Sequence, residues 1–206
     1  VRFAIELGFS GYPKLQKSLQ ELIKNKLTTV QRLELSSDYI TEGHALKGVL
    51  KADMENIRST MEKIDYNTFE DVVNNIFAAK RIYIIGLRSS MALAEFLGFY
   101  LNIILQNVKT VGYGISDIFE QMINVGEGDL VIGIGFPRYA SRTIDALAFA
   151  QDRGATVVAV TDSFLSPLAA RADYSLIAQS NMASFVDSLV APLSVINALI
   201  ITVGMR

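Results

Sequence analysis

The sequence contains no cysteine and only one histidine, His44, among 206 residues. Without cysteine there is no disulfide framework and no thiolate metal site, which fits a reducing cytoplasm. No metal site and no cofactor are expected. Charge is also sparse: 19% of residues are charged while half are hydrophobic, so the chain can bury a core and is not disordered. Its apolar runs are broken well short of a membrane span, and no signal peptide is visible. No low-complexity tract or repeat of solenoid length occurs. The chain starts at Val1 rather than Met and stops within an apolar run ending Ile200-Ile201-Thr202-Val203, so both ends are expected to be truncated.

The charge that is present is unevenly spread. Residues 1–35 carry six cations against three anions, and the remainder carries thirteen against eighteen. A basic head on an acidic body suits contact with a phosphate backbone, although swings of this size also arise by chance.

The apolar pattern divides the chain. Residues 1–8 read as a helix end closed by Gly8, followed by a turn cluster and a second helix over 13–26 that starts at Pro13. Residues 27–40 are polar and aperiodic and read as a linker. A helix is predicted over 42–64, with Leu46, Val49, Leu50, Met54 and Ile57 at helical spacing. Another begins at Asn67, with Glu70 three positions on in a capping-box-like pair. From residue 81 the pattern changes to short apolar runs alternating with helical stretches. Strands are predicted at 81–85, 108–112, 130–134, 156–161 and 174–178. Helices are predicted at 89–105, 116–123 and 141–153, with a short one after Pro167. A long apolar helix is predicted over 184–203. Such alternation implies a parallel sheet covered on both faces. The expected divisions are 1–40, 41–79 and 80–206.

In an open parallel sheet, ligands bind beyond the carboxyl ends of the strands. The first such loop is Gly86-Leu87-Arg88-Ser89-Ser90. Gly86 permits a tight turn, Arg88 can hold a phosphate in a bidentate way, and Ser89 and Ser90 open a helix whose free N–H groups favour an anion. Capping alone would explain one serine, but not Arg-Ser-Ser together. The second loop, 135–143, again runs from strand end to helix start and offers Arg138, Tyr139, Ser141, Arg142 and Thr143. The third holds Asp162 and Ser163, which could bond sugar hydroxyls or simply cap the next helix.

The segments Arg81-Ile-Tyr-Ile-Ile-Gly-Leu-Arg-Ser-Ser, Gly135-Phe-Pro-Arg-Tyr and Val160-Thr-Asp-Ser-Phe-Leu-Ser-Pro-Leu-Ala resemble the SIS domain of RpiR/MurR-type transcriptional regulators. So does Ser184-Phe-Val-Asp-Ser-Leu-Val-Ala-Pro-Leu. The resemblance implies a SIS-type, flavodoxin-like five-stranded parallel sheet sandwiched by helices and preceded by a helical segment. It implies a phosphorylated sugar effector in the body, operator DNA at the head, and a cytoplasmic homodimer or tetramer with no membrane association. The stretch from Val1 to Gln16 resembles the end of that family's helix-turn-helix domain, which makes Arg2, Ser10, Tyr12 and Lys14 candidate DNA contacts. The N-terminal part of the recognition helix is missing, so this chain alone should bind DNA weakly. SIS phosphate loops commonly follow a Ser-X-Ser-Gly-X-Thr pattern. Gly135 and Ala140 stand where hydroxyls are usual, which implies a loop with fewer donors.

Two other readings remain. A sugar-phosphate isomerase would need a general base; His44 precedes the α/β body, and Glu95 and Glu120 fall in predicted helices. A ligand-free dimerisation module is the second.

Overall fold

The computed structural model describes residues 2–8, 10–16, 19, 27, 30–31, 45–114 and 116–206. Helix α1 spans Arg2–Glu6, and residues 12–16 are also helical. Apart from Leu19, the rest of the helix expected over 13–26 lies outside the described residues, as do most of the linker and His44.

The body is a five-stranded, wholly parallel sheet in the order β2-β1-β3-β4-β5. Its strands are β1 (Ile82–Gly86), β2 (Val108–Val111), β3 (Leu130–Ile134), β4 (Thr156–Thr161) and β5 (Tyr174–Ile177). Every residue of β1 and β3 is buried, because helices cover both faces of a parallel sheet. That is why Ile-Tyr-Ile-Ile-Gly and Leu-Val-Ile-Gly-Ile are continuous apolar runs. Alternate residues feed two cores. Ile82, Ile84, Ile132, Val158 and Leu176 face one side, and Tyr83, Ile85, Val131, Val157 and Ala159 the other. On edge strand β2, Lys109 and Thr110 are exposed, a charged margin that discourages strand addition.

Helices α2 (Ala45–Lys63) and α3 (Tyr66–Ala78) precede the sheet. Helix α4 (Met91–Ile104) follows β1, α5 (Ile118–Gln121) follows β2, and α6 (Ser141–Asp152) follows β3. Helix α7 (Val190–Gly204) closes the body, with Ala191, Val195, Ile196, Leu199 and Val203 buried. Among the described residues, no helix is long and apolar enough to cross a membrane.

Two expectations are corrected. Helix α3 is capped by Asp65, not by an Asn67–Glu70 pair. Asp65 is extended, accepts from the Thr68 N–H (3.0 Å) and hydroxyl (2.6 Å), and its carboxyl lies below the ordinary range chiefly because of those bonds. Glu70 instead pairs with Arg206. Helix α7 starts at Val190 rather than residue 184. The cause is Pro192: it has no N–H to give the Ser188 carbonyl, so it belongs in a first turn.

Candidate functional site

The strand order reverses direction between β1 and β3, since β1 connects outward to β2 and β3 leads the other way. The carboxyl ends of these strands therefore flank the switch point where such sheets bind ligands. A cleft of about 250 Å³ lies there, lined by Leu87, Arg88, Ser89, Ser90, Phe136, Arg138, Thr143 and Asp187, among others.

Each wall is a strand end folded tightly into a helix. After β1 the chain makes a 3-10 turn, Arg88–Ser90, before α4. A Cβ on Gly86 would stand 2.6 Å from the Ser90 carbonyl oxygen, so only glycine lets the turn fold over the strand end. After β3, a Cβ on Gly135 would meet Leu168 at 2.7 Å. Gly135 thus makes room for the methyl tips of buried Leu168 at the position where the usual loop pattern carries a hydroxyl. Neither α4 nor α6 has a side-chain cap, so neither helix start is closed by a serine hydroxyl.

Two backbone outliers mark the cleft. Among the described residues, the non-glycine positions with positive φ are Arg88 (60°) and Arg138 (67°), one in each wall. Left-handed conformations in bulky residues cost on the order of 1–3 kcal/mol each and cluster at ligand sites. The two loops also touch: Arg88 Nη1 donates to the Arg138 carbonyl at 3.2 Å. Arg138 Nη2 pairs with Asp187 at 3.3 Å, with their side chains only 21% and 9% exposed. The Thr143 hydroxyl is buried at the cleft and has no hydrogen-bond partner. An unsatisfied buried hydroxyl is costly and awaits an acceptor.

The structure thus brings together Arg88, Ser89, Ser90, Arg138 and Thr143, with Gly86 beneath them. The other candidates stand apart from the lining. Ser141 is exposed at the start of α6. Arg142 reaches away to Asp117 (2.6 Å). Ser163 Oγ accepts from the Leu165 N–H (3.1 Å) and stabilises a turn. Tyr139 donates its hydroxyl to Asp162 at 2.7 Å, and Gln179 donates to the Asp162 carbonyl at 3.3 Å. Burial first, then the Asp162 carboxylate, raise the Tyr139 phenol well above its ordinary value. A raised folded value stabilises the fold fully below the unfolded value of about 10, and that stabilisation is lost as pH rises beyond it. Denaturant titrations should therefore show stability falling above about pH 10, less steeply in Tyr139→Phe. Asp187 was not among the sequence candidates. The available signal was a lone carboxylate, directly followed by Ser188, in an apolar stretch.

Among the DNA candidates, Ser10, Tyr12 and Lys14 are exposed, and Arg2 opens α1. A wider, shallower hollow of about 440 Å³ lies along α4 and β2. Its one charged lining residue is Glu95, which makes it unsuited to an anion.

Comparison with known proteins fixes the family. The SIS domain model matches residues 75–202. The chain belongs to the SIS-domain family. Its body is like the sugar isomerase domain of an RpiR transcription factor from Sphaerobacter thermophilus, at 32% identity and a TM-score of 0.73, covering 77% of this chain and 88% of that one. An HTH-type transcriptional regulator of Haemophilus influenzae is 30% identical over 86% of this chain. The SIS chain spans 62% of that regulator's length. The Vibrio vulnificus NanR protein, solved in complex with ManNAc-6P, shares the fold at 19% identity and a TM-score of 0.65, covering 98% of this chain and 72% of NanR.

Proposed function

We propose that this SIS domain is the effector-sensing part of a cytoplasmic transcriptional regulator, and that the cleft between β1 and β3 holds the phosphate of a phosphorylated sugar. The carrying observation is the pair of left-handed arginines facing one cleft with an unpartnered buried hydroxyl. Arg88, Ser89 and Ser90 take the phosphate from one wall, and Arg138 and Thr143 from the other. Thr143 supplies a donor that the loop itself lacks at Gly135 and Ala140. Tyr139, Ser141, Asp162 and Ser163 lie outside the first contact and would meet the sugar only if it extends toward β4. Residues 1–40 belong to a DNA-binding head, where Arg2, Ser10, Tyr12 and Lys14 contact the backbone, residues 41–79 connect it, and residues 80–206 sense the sugar. The resemblance to named regulators supports this division.

Catalysis is the weaker reading. Glu120 is committed to a capping box with Asp117, and Glu95 lies away from the cleft. Of the carboxylates, Asp187 lines the cleft, and it is paired with Arg138. The proposal is tested by thermal denaturation with a panel of phosphosugars: a specific binder at 100 times its Kd should add about 2.7 kcal/mol of stability. NMR of the same mixtures should show no aldose–ketose conversion; turnover would establish the isomerase. No shift with any member would favour a ligand-free module. Gel shift of the full-length regulator on its own upstream DNA should respond to the panel hit.

The working unit is proposed to be a homodimer or tetramer. Leu46, Leu50, Met54, Ile57 and Met61 form an exposed apolar stripe at helical spacing along α2. Leu50→Glu with Met54→Glu should lower the mass measured by light scattering to that of the monomer, with the sheet intact by circular dichroism.

A further inference from the structure

Residues 178–189 run from the end of β5 to α7 and touch both the cleft and α2. One end of this strap is fixed to α2 by buried polar groups. The Gln179 N–H donates to Thr60 Oγ1 at 2.8 Å. Asn56 and Asn181 exchange two bonds: Asn56 Nδ2 donates to the Asn181 carbonyl (2.9 Å), and the Asn181 N–H donates to Asn56 Oδ1 (3.2 Å). At the other end, adjacent residues bond in two directions. Asp187 accepts from Arg138 in the cleft, and Ser188 Oγ donates to Asp53 Oδ1 on α2 at 2.6 Å. A single peptide bond thus separates the cleft's carboxylate from an anchor of α2.

Asp187 is already an anion seated on one of the two cleft arginines. A phosphate needs the same guanidinium, and two anions in so small a space repel. We propose that Asp187 is an internal competitor for phosphate, and that its displacement from Arg138 pulls Ser188 off Asp53 and so frees the middle of α2. The Asn56–Asn181 and Thr60–Gln179 bonds act as the pivot. Helix α2 connects residues 1–40 to the body in sequence, so this is where occupancy of the cleft would be passed on. The inference rests on the phosphate reading of the cleft.

The test uses the whole chain, inorganic phosphate, calorimetry, and hydrogen exchange of residues 45–63. Asp187→Asn should bind phosphate about tenfold tighter or better. Asp187→Glu, which keeps the charge, should stay at the wild-type affinity and serves as the control for folding. Phosphate should speed exchange around Asp53 in the wild type. Ser188→Ala should show that faster exchange without phosphate and no further response. Equal affinity of wild type and Asp187→Asn would overturn the competitor while leaving the cleft reading intact. Binding without any change in α2 exchange would overturn the transmission. Phosphate bound by neither protein would sink the cleft reading, and this inference with it.

Discussion

Arg88→Ala is expected to weaken phosphosugar binding at least about tenfold while leaving the fold intact. The Arg88 residue is exposed, and its side-chain bond among the described residues is a single contact to the Arg138 carbonyl. Most of its donors therefore remain for a ligand. A hydrogen bond to a charged group contributes about 1.5–3 kcal/mol, and each 1.4 kcal/mol is about a factor of ten. The companion variant Arg88→Gly separates binding from stability. Glycine adopts positive φ freely, so it relieves the backbone strain at φ 60° and should melt no lower than wild type. Calorimetry with the panel hit and a thermal melt check both. Unchanged affinity in both variants would show that Arg88 is not a ligand.

Gly86→Ala should be the most damaging single methyl group in the cleft. Its Cβ would press on the backbone of Ser90, 2.6 Å from the carbonyl oxygen and 3.0 Å from the carbonyl carbon, and at 3.2 Å on the Ala94 side chain. Backbone at a helix start cannot step aside as a flexible side-chain tip can. Overpacking of this kind costs about 1–3 kcal/mol, and here it must also shift Ser89 and Ser90 from their places on the wall. Chemical denaturation should record the lost stability, and calorimetry a loss of phosphosugar affinity beyond that of Ser90→Ala. A variant with wild-type stability would mean that the 3-10 turn relaxes at no cost.

The sheet was legible in the sequence because a parallel sheet leaves a plain signature. Residues 130–134 and the Val157–Val160 run between Thr156 and Thr161 are apolar stretches between helical ones, and the predicted bounds 130–134 and 156–161 coincide with β3 and β4. The switch-point cleft followed from the same pattern, since loops after strands one and three both carry arginine. Less legible was everything set by contacts distant in sequence. Residues 184–189 open the apolar run that reads as one helix over 184–203, yet Pro192 and the bonds of Asp187 and Ser188 hold them out of α7. Position 135 reads as a lost hydroxyl until Leu168 is seen behind it. Tyr139 and Asp162 each suit a sugar on paper, but they bond to each other across 23 positions. Asp187 could not be placed against Arg138 from sequence, because 49 residues and two strands separate them.

One cleft, at the carboxyl ends of β1 and β3, is proposed to take the phosphate of a sugar. A crystal structure of the chain grown with the phosphosugar that stabilises it most tests this directly. The phosphate is predicted to accept hydrogen bonds from Arg88 and from Ser89 or Ser90, with the Thr143 hydroxyl now partnered. A phosphosugar seated elsewhere, with Arg88 still on the Arg138 carbonyl and Thr143 still without a partner, would contradict it.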